Sequence, residues 1–234
     1  MEGANLFRKE RNIDIVFCMD GTGSMAPCIE NVKKNALRFY ADFARAMTDM
    51  GGDIGVMRVR AIVFRDYKCD GEEAMQQSAF FELPEEAAAF EKFLAGVRAH
   101  GGCGEDANGL EALYYAMRSD FTTGANDRQI IVLFADTTAL NLGRRRKFPG
   151  YPADMVDADG LLETWMCTQE HPSRLRERCK RLVMFAPAGT VYEKKICRGF
   201  NRSVFVPVQM SRGLGEIDFK DVVRILAASA SAAS

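Results

Sequence analysis

Residues Ile13 to Met19, reading IDIVFCM, form an almost wholly apolar run rich in β-branched side chains, and the run stops at Asp20-Gly21-Thr22-Gly23-Ser24. A run this short, closed by loop residues, reads as a strand buried on both faces, the habit of parallel strands in α/β domains. Pro27 suits the first turn of a helix. Ile29, Val32, Ala36, Phe39, Phe43 and Met47 then recur at spacings of three and four. They make one apolar helical face, which Gly51-Gly52 ends. A buried strand, a hydroxyl-rich loop and a long amphipathic helix leave few folds open to such a chain.

The remainder repeats the alternation. Val56 to Phe64 is an apolar run and Ser78 to Leu83 a weaker one, separated by the acidic turn Asp70-Gly71-Glu72-Glu73. With no room for a long helix between them, the two predict a hairpin and an antiparallel edge. Pro84-Glu85-Glu86 opens a second helix with Phe90, Phe93, Leu94 and Val97 inward, broken at His100-Gly101-Gly102-Cys103-Gly104. A third helix carries Leu110, Leu113, Tyr114 and Met117. Residues 130–135, IIVLFA, are the second clear buried strand, ending at Asp136, and 182–187 and 203–208 are the last two. Ile217 to Ala228 predicts a terminal helix, and the small-residue tail Ser229–Ser234 is expected to fray. No repeat or linker divides the chain. The expectation is one domain over residues 1–234, with its core at about 12–228. Its class is α/β, doubly wound, with a mostly parallel central sheet, one antiparallel edge strand and helices on both faces.

Composition narrows the partners. Hydrophobic residues at 47% and charged residues at 27% are ordinary for a globular chain. Lys plus Arg is 31 and Asp plus Glu is 32, a formal net charge of -1. That lacks the electrostatic footprint of a nucleic-acid or anionic-membrane binder. No stretch approaches the roughly 20 apolar residues that span a bilayer, and residues 1–12 hold no apolar run of signal-peptide length. A cytoplasmic location is expected. The seven cysteines are odd in number and contain no C-x-x-C pair, and there are two histidines. A zinc site is therefore disfavoured, and the cysteines are expected to be reduced packing residues.

Two buried strands end in aspartate. In doubly wound sheets ligands bind at the carboxyl ends of strands, where the strand order reverses. If the strands at 13–19 and 130–135 flank that reversal, Asp20 and Asp136 meet across one crevice. Thr22 and Ser24 follow Asp20 at alternate positions, and alternate residues of an extended loop can point the same way. A carboxylate and two hydroxyls are hard oxygen ligands, suited to Mg2+, Mn2+ or Ca2+. The simpler alternative makes Ser24 an N-cap of the following helix and Asp136 a turn residue.

Asp20-Gly21-Thr22-Gly23-Ser24-Met25 resembles the D-x-[ST]-G-S-M start of a von Willebrand factor A-type domain, whose metal-ion-dependent adhesion site it forms. The resemblance extends in order over most of the chain, through Phe64-Arg65-Asp66-Tyr67, the glycine loop at 101–104 and Ala135-Asp136. The F-R-D-Y segment is similar to one in a bacterial and kinase-associated branch of that family. The resemblance implies metal ligation by Asp20, Thr22, Ser24 and Asp136. The second metal loop departs from the family: no threonine follows the paired glycines, leaving Glu105 or Asp106 as alternatives, or as acids that simply begin the third helix. Phe17-Cys18-Met19-Asp20-Gly21-Thr22 also resembles the D-x-D-G-T signature of haloacid-dehalogenase-type phosphatases, but Cys18 holds the place of their nucleophilic aspartate.

Two function classes follow. The resemblance implies a metal-dependent protein-binding module whose cation accepts a carboxylate from a partner protein. Intracellular bacterial members of the family often work beside ATPases, kinases or phosphatases. The second class is a Mg2+- or Mn2+-dependent phosphoryl-transfer or hydrolytic enzyme using the same carboxylates. No Walker A or G-x-S-x-G sequence and no convincing general base supports it. His100 and His171 read as a helix end and a surface turn, and Asp66 and Lys68 as polar surface. Thr137 to Ala158 has no periodic element, and loops this long are commonly functional. It carries Arg144-Arg145-Arg146-Lys147, either a solvated stretch or cations that attract an acidic partner. The expected partner face comprises Gly21, Gly23, Met25, Cys103, Arg144, Arg145, Arg146 and Lys147.

Overall fold

The computed structural model describes residues 10–104, 106–208 and 218–232. Strand β1 (Glu10–Asp20) is buried from Ile13 to its end, as its apolar run requires. Its side chains alternate between two cores: Ile13, Ile15, Phe17 and Met19 enter one, Val16 and Cys18 the other. Helix α1 (Ala26–Asp49) has Pro27 in its first turn and buries Ile29, Val32, Ala36, Phe39, Phe43 and Met47. Its end is a Schellman motif. Gly51, at φ 77, donates its N–H to the Thr48 carbonyl, and Gly52 donates to that of Met47, both at 3.0 Å.

Strand β2 (Asp53–Phe64) lies parallel to β1. The antiparallel edge consists of two short strands on β2, β3 (Met75–Gln77) and β4 (Phe81–Leu83). Between them and β2 lies a single-turn helix, α2 (Tyr67–Asp70). Then follow α3 (Ala87–Gly96), α4 (Gly109–Met117), β5 (Arg128–Phe134), α5 (Ala158–Trp165) and β6 (Lys180–Pro187). A π-helical turn (Tyr192–Cys197), β7 (Ser203–Val208) and α6 (Phe219–Ser231) complete the order. The sheet runs β3-β2-β1-β5-β6-β7, with β4 also on β2 and all pairs from β2 to β7 parallel. Helices α1, α3 and α6 cover one face; α4, α5 and the π-helical turn cover the other. The expected α/β class and helix-covered sheet are present. Helix α5, eight residues long, has no counterpart among the elements expected from sequence. Among the described residues no helix is long and apolar enough to cross a membrane.

The carboxyl-terminal tail corrects the expectation of fraying. Its predicted start, Ile217, lies outside the described residues, as do Ala233 and Ser234. Up to Ser231 the helix is ordered, with Ala227 and Ala230 fully buried. Buried arginine explains it. The Ala230 carbonyl accepts from Arg128 Nε at 2.8 Å and from Arg11 Nη1, and the Ala232 carbonyl from Arg128 Nη2 at 3.0 Å. These cations satisfy carbonyls that a helix end leaves unpaired.

A second correction concerns the cysteines. Cys69, in α2, and Cys103, in the glycine loop, form a disulfide with Cα atoms 5.8 Å apart. Cys18, Cys28, Cys167, Cys179 and Cys197 are free thiols. The bridge removes the support that an all-reduced set lent to a cytoplasmic location. It closes a loop across a sequence separation of 34, so reduction should lower stability by about 4 kcal/mol on loop entropy. Urea unfolding of the wild type with and without reductant, beside a Cys69→Ser/Cys103→Ser variant, measures this. Coincident curves for all three would show that the bridge contributes nothing.

Candidate functional site

Strand β1 lies between β2 and β5, so the chain order reverses beside it and the crevice opens where β1 and β5 end. Asp20 pairs in register with Phe64, and Met19 with Phe134. Asp20 and Asp136 thus leave adjacent parallel strands on one side of the sheet. Asp20 is buried, 1% exposed. Its Oδ1 accepts from the Thr22 backbone N–H at 2.9 Å and from Thr22 Oγ1 at 2.7 Å. Thr22 Oγ1 lies 3.4 Å from Ser24 Oγ. Thr22 is extended, at φ -67 and ψ 161, which places the Asp20, Thr22 and Ser24 oxygens in one row. No side-chain cap bond is made at the start of α1, so the N-cap alternative for Ser24 is not the one adopted.

At these two strand ends, two buried carboxylate oxygens, Asp20 Oδ2 and Asp136 Oδ1, have no hydrogen-bond partner among the described residues. Burial raises the Asp20 carboxyl to about 6, the Asp136 charge adds to the rise, and the Thr22 bonds and Arg65 oppose it. An orphaned carboxylate oxygen is costly. Two on neighbouring strand ends, with two hydroxyls beside them, form a donor set that fits a hard divalent cation. Among the described residues no three His, Cys, Asp or Glu side chains converge as a metal cluster, which leaves a site of hydroxyls and at most two carboxylates. Cys18 and Cys28 are buried nearby. Burial pushes the Cys18 thiol well up and that of Cys28 to about 12, with Asp136 and Asp20 adding to the latter.

Arg65 fastens the loops around the crevice. Fully buried, it donates from Nε to the Gly21 carbonyl at 3.1 Å, from Nη1 to that of Glu73 at 2.9 Å and from Nη2 to that of Arg98 at 2.7 Å. The Gly21 carbonyl also accepts from the His100 N–H at 3.0 Å. A Cβ on Gly21 would stand 2.6 Å from Val63 Cγ1. In the second loop Gly102, at φ 87, donates its N–H to Asp70 Oδ2 at 3.1 Å and lies against the Thr22 methyl group. That loop is therefore held to α2 by a hydrogen bond and a disulfide. Asp106 acts electrostatically on Arg145 and on Tyr192. Glu105 lies outside the described residues.

The expected partner face needs correction. Gly21 and Met25 are buried and hold the first loop, and Cys103 is spent in its bridge. Gly23, Ser24, Arg144, Arg146 and Lys147 are exposed to solvent. Arg145 instead forms a two-pronged pair with Asp66, from Nε to Oδ1 and from Nη2 to Oδ2, both 2.6 Å. Asp66, read from sequence as surface, is 1% exposed. Beside it Tyr151 donates from its hydroxyl to Glu111 Oε1 at 2.9 Å and accepts from the Gly143 N–H at 2.8 Å. Glu111 is wholly buried, and burial raises its carboxyl. The long loop after Asp136 is thus pinned to α2 and α4 by a buried polar network. Its one sequence signal is that Asp66, like Asp20 and Asp136, follows a strand on the carboxyl side. The histidines sit apart: His100 is 3.8 Å from Glu73 and His171 3.2 Å from Glu163.

No family model matches the chain. Over 96 residues it is 31% identical to Mediator of RNA polymerase II transcription subunit 25 from Mus musculus and from Homo sapiens; the match is 39% of this chain and 12% of that protein. The chain thus spans about an eighth of the length of these relatives. Among solved structures, the pilus adhesin SpaC from Lactobacillus rhamnosus GG superposes with a TM-score of 0.53 at 13% identity, covering 94% of this chain and 31% of the adhesin. Its open conformation gives 0.53 at 12% identity. At such identities the likeness is one of fold: this chain shares the α/β architecture of an adhesin domain.

Proposed function

We propose that this chain is a von Willebrand factor A-type protein-binding module that depends on a divalent cation. In this reading Asp20, Thr22, Ser24 and Asp136 hold Mg2+, Mn2+ or Ca2+, and Asp106 lies outside the ligand set. When bound, the cation supplies positive charge against which an acidic group of a partner protein can bind. The observation that carries the reading is the pair of buried, partnerless oxygens on Asp20 and Asp136. The Thr22 and Ser24 hydroxyls beside them support it. So do two names among the similar proteins, one a subunit of Mediator and the other an adhesin. Arg144, Arg146 and Lys147 on the rim suit an acidic partner and act on its association rate. The enzyme reading is favoured by no feature of the crevice.

Calorimetry tests the metal. Titration of Mg2+ and of Mn2+ into wild type should release or absorb heat that Asp20→Ala abolishes, since that change removes the charged ligand of the first loop. Identical heats in the two proteins would sink the reading.

A further inference from the structure

The second loop of the crevice touches the first. Gly102 packs on Thr22, and a Cβ added to it would stand 3.0 Å from Thr22 Cγ2. Thr22 in turn directs its hydroxyl to Asp20 Oδ1. The position of the second loop therefore sets how freely the Thr22 side chain can turn, and with it the row of oxygens from Asp20 to Ser24.

Little besides covalent chemistry holds that loop in place. Residues 98–104 belong to no helix or strand, and 101–104 read Gly-Gly-Cys-Gly, with Gly101 at φ 74 and Gly102 at φ 87. Among the described residues two hydrogen bonds reach 100–104. The His100 N–H donates to the Gly21 carbonyl at 3.0 Å, and the Gly102 N–H to Asp70 Oδ2 at 3.1 Å. The His100 side chain, 3.8 Å from Glu73, is exposed like its partner and contributes little. Two hydrogen bonds, each small in net terms, stand against the entropy of ordering four residues, three of them glycine. The Cys69–Cys103 bridge tips that balance by tying the loop to α2. Cys69 is exposed and Cys103 half-buried, so a small thiol can reach the bridge.

We propose that the Cys69–Cys103 bridge is a reversible redox lock on the crevice. Oxidised, it holds the second loop against Thr22 and keeps the cation site preformed. Reduced, it lets the loop loosen, and the affinity for the cation falls because the site must be ordered on binding. The inference rests on the metal reading and adds its regulator, a thiol of the glutathione class. The thiolate of one such thiol attacks Sγ of the exposed Cys69. The S–S bond breaks, and Cys103 leaves as a thiolate and takes up a proton. A second thiol attacks the mixed disulfide on Cys69, which is freed as a thiol while the two small thiols depart joined as their own disulfide. Two electrons pass from the small thiols to the bridge, and the oxidised small disulfide reverses the exchange.

The test compares the full chain in three forms: oxidised, reduced by millimolar glutathione and desalted without oxygen, and Cys69→Ser/Cys103→Ser. Glutathione should open the bridge while circular dichroism stays native, and oxidised glutathione should restore it. In EDTA, amide exchange at Gly102 should quicken about tenfold on reduction, and at Thr22 severalfold. By calorimetry, Mn2+ should bind the reduced form about three- to tenfold more weakly than the oxidised form. The serine pair should match the reduced form and ignore glutathione. A bridge that survives glutathione in the native protein would overturn the proposal, as would equal exchange or equal Mn2+ affinity in the oxidised and reduced forms. Loss of the fold in both the reduced protein and the serine pair would make the bridge a structural staple and overturn it as well. Failure of the metal reading looks different: neither form takes up Mn2+ while exchange at Gly102 still responds to glutathione, which overturns the effect on the cation and leaves the lock on the loop.

Discussion

In metal-free buffer at pH 7, Asp20→Asn should be more stable than wild type by about 2–3 kcal/mol, and saturating Mg2+ should reverse that order. The carboxyl is raised from 3.8 to about 6, chiefly by burial, and a rise of that size corresponds to roughly 3 kcal/mol. The sign follows from linkage. Between pH 3.8 and about 6 the folded wild type holds a proton that the unfolded chain has released, so wild-type stability falls as pH rises through that window. Asparagine keeps the oxygen that accepts from Thr22 and removes the charge, so the gap between the two proteins should open across the same window and stay constant above it. Cation binding offsets the cost in wild type: at about a thousandfold excess over Kd it adds about 4 kcal/mol, which the variant cannot gain. Asp20 thus costs stability that a structural residue would not. Parallel stability–pH curves for the two proteins, or equal Mg2+ responses, would contradict this.

The second large effect lies in the loop after Asp136. Arg145→Ala leaves the Asp66 carboxylate buried without its cation, and breaking such a pair typically costs about 3–5 kcal/mol. The pair is two-pronged, with Arg145 16% exposed and Asp66 1%. The double change Arg145→Ala/Asp66→Asn should recover part of the loss, because it also removes the stranded charge. Amide exchange in residues 137–157 should quicken in the single variant. A loss under about 1 kcal/mol would class Arg145 with exposed surface cations.

The difference between these two sites explains what can be read in advance. The Asp20 loop is local: strand, carboxylate and alternate hydroxyls lie within one short segment, and the apolar runs at 13–19 and 130–135 fix both strand ends. Alternation of strands and helices implies a mostly parallel sheet, but that β1 and β5 are neighbours, and so bring Asp20 and Asp136 to one crevice, is set by the fold. The long loop is not local. Asp66 and Arg145 are 79 residues apart, and Arg145 sits in a run of four cations that looks uniformly solvated. Only the fold separates Arg145 from its neighbours, because β2 ends beside it. The Cys69–Cys103 bridge is invisible for the same reason, since it joins two loops that only tertiary packing brings together. At 229–231 small residues signal fraying in isolation, whereas in the fold they admit close approach to α1 and to arginines from β1 and β5.

Crystals of the metal-free protein soaked in Mn2+ test the central claim most directly. Anomalous difference maps at the manganese edge should show one strong peak between Asp20 and Asp136, within about 2.2 Å of Asp20 Oδ2 and bounded by the Thr22 and Ser24 hydroxyls. No peak there at millimolar Mn2+, with the same two oxygens still unpartnered, would contradict the account.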